Sequence, residues 1–80
     1  MAIEKKGAFI LVQKTLIKID NLVFIKPQTL VQFDGQGREI SRDFPKLIIQ
    51  PSVGVPLEFI YKDDQSRDNA LNEIAEIISA

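Results

Sequence analysis

Most of the chain carries its apolar residues in short runs and alternations of strand type, and only the C-terminal segment carries them at helical spacing. Phe9-Ile10-Leu11-Val12 and Thr15-Leu16-Ile17-Lys18-Ile19 are rich in strand formers. Only Gln13-Lys14 lies between them, which is poor turn chemistry, so the two read as one long bent strand. Residues 1–7 have no apolar period and read as a loose start. Asp20-Asn21 is a better turn signal, because both side chains can bond their own backbone. Leu22-Val23-Phe24-Ile25 then reads as a short buried strand that ends before Pro27.

Gln28 to Asp34 alternates, with Thr29, Val31 and Phe33 on one face. Asp34-Gly35-Gln36-Gly37 is the strongest turn in the chain, and an extended pattern resumes from Arg38 to Phe44. A hairpin is therefore expected around residues 34–37. The segment from Pro45 to Pro56 holds Leu47-Ile48-Ile49, but prolines at 45, 51 and 56 point to an edge strand or an irregular loop. Residues 57–62 place Leu57, Phe59 and Tyr61 on one strand face. Ala70, Leu71, Ile74, Ala75, Ile77 and Ile78 make a helical stripe, predicting a helix over 64–79. Asp64 or Ser66 is placed to cap it, and the acids at 63, 64 and 68 suit its positive end.

The expected architecture is one α+β domain over residues 1–80. It is a meander of about five short antiparallel strands, open or curled into a partial barrel, with one C-terminal helix. Several strand runs are continuously apolar, as if both faces wanted burial. One helix covers one sheet face, so the pattern calls for a second cover.

Composition narrows the chemistry. The 80 residues include no Cys and no His, which removes disulfides, thiolate metal sites and the commonest general base. The net charge is −1, without the basic excess usual for proteins that neutralise many phosphates. Residues 1–40 nevertheless carry six Lys/Arg against four Asp/Glu, and residues 41–80 four against seven. Ala8 to Val12 is too short for a signal-peptide core, and no stretch approaches the roughly 20 apolar residues of a membrane span. A cytoplasmic protein without a membrane partner is the expectation.

Asp63-Asp64 lacks the spacing of a calcium loop and reads as helix capping, while Gly35-x-Gly37 is followed by an extended segment and reads as a hairpin turn rather than a phosphate cradle. No catalytic, cofactor or metal residue is assigned. The function expected is a non-enzymatic interaction or assembly module, forming a homo-oligomer or binding a protein partner through an apolar sheet face or edge. The alternative is a small single-stranded nucleic-acid binder. Lys14, Lys18 and Lys26 would track phosphates, and Phe24 and Phe33 would stack bases.

Overall fold

The computed structural model describes residues 3–79. Its fold is α+β, with eight short strands and one C-terminal helix. The strands are β1 (Glu4–Lys6), β2 (Phe9–Val12), β3 (Thr15–Lys18), β4 (Leu22–Gln28), β5 (Val31–Phe33), β6 (Glu39–Arg42), β7 (Lys46–Pro51) and β8 (Leu57–Ile60). The helix α1 spans Asp64–Ser79. In place of one meander of about five strands there are three separate antiparallel sheets, ordered β1-β2-β3, β4-β7-β8 and β5-β6.

Within the expected loose start at residues 1–7, Glu4–Lys6 form an edge strand, β1, pairing Lys5 with Ile10, and residues 1 and 2 lie outside the described residues. Gly7 takes a φ of +63°, which suits the first position of the two-residue turn into β2. The bent strand expected across residues 9–19 is a hairpin, with Val12 paired to Thr15. Gln13 and Lys14 form its turn at φ +45° and +71°, and two positive values in succession match the twist of the flanking strands. Neither residue type favours this geometry. Replacing Lys14 by Gly should therefore raise stability by about 1 kcal/mol. A higher urea midpoint with an unchanged slope is the expected reading, and a lower midpoint would show that the Lys14 stem matters more than its backbone.

The second correction concerns the proline-rich stretch. β7 is the central strand of its sheet, pairing Ile49 with Ile25 of β4 and with Leu57 of β8. Pro45 precedes the strand and Pro51 ends it, so the donors between them stay free for both neighbours. Pro27 lies inside β4, which is an edge strand and tolerates a missing donor.

Alternation across this sheet separates two faces. Ile25, Leu47, Ile49, Leu57 and Phe59 share the inner face by register. Ala70 and Ile74 of α1 pack there, and so do Ile3, Ile10, Val12 and Ile17 from the β1-β2-β3 end. The helix and the first sheet thus cover one face together. The outer face carries Phe24, Lys26, Lys46, Ile48, Gln50, Glu58 and Ile60. Long polar stems and the Lys46–Glu58 ion pair at 3.2 Å shield Ile48, which is only 7% exposed.

The β5-β6 hairpin forms as expected. The Asp34 carboxylate accepts the backbone N–H groups of Gln36 at 2.8 Å and Arg38 at 2.9 Å, closing the turn. Its two strands pack chiefly on each other, so the hairpin stands out as an arm from the Gln28 end of β4. The molecule is accordingly long, at 50 × 27 × 21 Å.

Candidate functional site

The helix begins where Asp63 Oδ1 accepts the Ser66 N–H at 2.7 Å, so Asp63 caps α1, rather than Asp64 or Ser66. One turn later Arg67 donates to Thr29 Oγ1 at 2.7 Å and to the Gln28 carbonyl at 3.3 Å. These bonds fix the start of α1 beside the end of β4. The helix then runs back along β4, carrying Leu71, Ile74, Ala75 and Ile78 toward Leu22 and Ile25.

A groove of about 410 Å³ opens between them. The helix side chains just named form one wall; Ile19, Leu22, Val23, Phe24 and Ile25 form the other. Every lining residue is apolar. Val23 is the extra residue of a bulge between Leu22 and Phe24, which turns its side chain out of the regular alternation. Val23, Phe24 and Ile78 are exposed, which corrects the expectation that Leu22 to Ile25 is buried on both faces. Continuous apolar runs record which residues are apolar, not which face finds a cover.

The five residues of the nucleic-acid alternative lie on three different sheets. Lys14 sits in the β2-β3 turn and Lys18 ends β3. Phe24 and Lys26 lie on β4, and Phe33 ends β5 on the arm. Phe24 and Phe33 are exposed. The Lys26 ammonium stands 5.9 Å from the centre of the Phe24 ring, a cation–π contact that joins two members of the set.

Polar chemistry is sparse. A second depression of about 340 Å³ at the arm base is lined by Arg42, Asp43, Phe44, Pro45, Lys62, Asp63 and Asp64, in which opposite charges are mixed. Among the described residues no group of three or more acidic side chains is placed to hold a metal ion. Burial pushes the Tyr61 phenol up, partly offset by the Gln13 side chain, and the nearby Glu73 adds to the rise. Tyr61 Oη and Glu73 Oε2 are buried without a hydrogen bond of standard geometry. No helix among the described residues is long and apolar enough to cross a membrane.

Two carboxylates, the half-buried Asp34 and the exposed Asp63, link this scaffold to pH. Backbone N–H groups of Arg38 and Gln36 hold Asp34 below its ordinary 3.8, and the Ser66 N–H does the same for Asp63. A depressed folded value means that the stabilisation is fully present above the unfolded value and is lost as pH falls through the folded one. Urea midpoints should therefore fall when pH drops below about 4. The double variant Asp34→Asn/Asp63→Asn should show a shallower fall, and an equally steep one would assign the acid sensitivity to other groups.

No protein-family model, curated protein or solved structure matches this chain.

Proposed function

We propose that this chain is a non-enzymatic assembly module that associates with a second copy of itself through the apolar groove between β4 and α1. The observation that carries this reading is the groove's lining, which contains no polar side chain although it opens to solvent. A sizeable, wholly apolar, open concavity is a mark of an interaction surface. Size supports the same view. A compact 9.0 kDa monomer should expose about 4,850 Å², whereas this chain exposes 5516 Å². Its radius of gyration is 14.4 Å, against about 11.6 Å for a compact chain of this length.

Of the two routes open to such a module, face and edge, the edges at β1, β4 and β8 are poorly suited. β4 is interrupted by Pro27 and by the bulge at Val23. β1 bears Glu4, Lys5 and Lys6, and the Ile60 carbonyl at the end of β8 is taken by Gln13 Nε2 at 2.8 Å. A cytoplasmic setting belongs to the same reading. Light scattering at about 100 µM should give a mass near twice the 9.0 kDa chain mass. A mass of one chain at that concentration contradicts the proposal.

The alternative, single-stranded nucleic-acid binding, draws on the exposure of Phe24 and Phe33 and on the Lys26–Phe24 pair. It requires oligonucleotide binding that weakens steeply with salt. No retention of a labelled oligonucleotide at low salt is expected, and firm, salt-sensitive retention would favour the alternative.

A further inference from the structure

We infer that the occupant of the groove is the β5-β6 arm of the second copy, seated reciprocally so that each chain gives an arm and receives one. This inference rests on the self-association reading and adds the element that makes the contact. A two-stranded hairpin is marginal alone in water and needs a further surface against which to bury apolar side chains. In its own chain the arm meets the rest of the fold at its base, and its strands pack chiefly on each other. It nevertheless carries four large apolar residues in the open: Leu30, Phe33, Ile40 and Phe44. Phe33 is 60% exposed and Phe44 65%.

Groove and arm cannot satisfy each other within one chain. The arm leaves β4 at Gln28, held there by Arg67, while the groove lies at the Leu22 end of the same strand. The seven residues of β4 set these ends roughly 20 Å apart. A second copy offers both surfaces in the right chemistry. In a two-fold pair each contact occurs twice, which closes the assembly at two chains.

The area agrees. The elongated chain exposes about 650 Å² more than a compact monomer would, against the roughly 800 Å² a standard interface takes from each partner, so an interface can form without uncovering the core. Two of the arm's three carboxylates are neutralised within it, Asp34 by Arg38 at 3.1 Å and Glu39 by Arg42 at 2.7 Å, which leaves the charge of Asp43 at its base.

The test uses one variant on each side and a cross-link. Phe33→Asp on the arm and Ala75→Glu in the groove each change an exposed side chain, and far-UV circular dichroism checks that both remain folded. Each should halve the mass measured by light scattering relative to the unmodified chain. The chain has no Cys, so single thiols can be placed cleanly. Phe33→Cys and Ala75→Cys, mixed and oxidised, should give a cross-linked pair containing one of each, and neither alone should do so to a comparable extent. If the unmodified chain has the mass of one copy, self-association fails and this inference with it. If it is a dimer whose mass neither acidic variant changes, and no mixed cross-link forms, self-association stands and the arm-in-groove contact is overturned. A mass that climbs beyond two copies with concentration overturns the reciprocal pairing.

Discussion

Replacing Ile49 by Ala should cost about 2–5 kcal/mol of folding stability, the range for removing most of a buried aliphatic side chain. Ile49 is fully buried, lies on the central strand, and faces Ile25 on one side and Leu57 on the other. It belongs to the core in which Ala70 and Ile74 of the helix meet the first sheet, so a cavity there loosens three elements at once. A chain of 80 residues is expected to hold a total of about 4–12 kcal/mol, so the loss takes a large share of it. Urea denaturation measures this directly. Val53→Ala supplies the comparison, because Val53 is 86% exposed and its truncation should stay within about 0.5 kcal/mol. Equal shifts for the two variants would mean that β7 is not the centre of the core.

The second large effect is expected at Arg67. Its side chain is 11% exposed and joins Gln28, Thr29, Asp64 and Asp68. Met in its place keeps most of the apolar stem but removes every donor, so the Gln28 carbonyl loses its side-chain donor and the Thr29 hydroxyl keeps only its long bond to Asp64. A charged hydrogen-bonding group in such a place contributes about 1.5–3 kcal/mol. The effect should also be local. Arg67 fixes the point from which the arm departs, so Arg67→Met should speed tryptic cleavage at Arg38 and Arg42 more than it speeds cleavage at Lys14 or Lys18. Uniform acceleration at all four sites would show that Arg67 supports the fold as a whole and has no particular hold on the arm.

How much of this was legible in the sequence differs from element to element. The helix was legible because Ala70 and Ile74 lie on a stripe with a single period, which only one backbone geometry satisfies. The hairpin at Asp34 was legible because its turn uses a carboxylate and glycines that suit the geometry by their own chemistry. The Gln13-Lys14 turn was not legible, since both residues occupy positive φ through the pairing of Phe9–Val12 with Thr15–Lys18 rather than by preference. β7 was obscured because prolines count against a strand wherever they fall, and composition does not reveal that Pro45 and Pro51 flank the paired stretch.

The groove is a different case. Its residues were all read as apolar, and the helix was placed, but the groove exists because α1 lies beside an edge strand whose bulge turns Val23 outward. That juxtaposition is a property of the packed chain. Likewise Lys14, Lys18 and Lys26 are regularly spaced in sequence, yet the fold sends the first two to one sheet and the third to another. The apolar runs call for a cover over a second sheet face, yet that face carries Lys26, Lys46, Gln50 and Glu58. The first sheet shares one face with the helix, the outer face is half polar, and much of the uncovered apolar surface lies in the groove and along the arm.

The central claim is that this groove is where one copy meets another, and molar mass with the groove intact and blocked tests it most directly. At about 100 µM the unmodified chain should scatter with twice the 9.0 kDa chain mass, and the folded Ala75→Glu variant with the mass of one chain. A single-chain mass for the unmodified protein, or a dimer indifferent to Glu at position 75, would contradict the account.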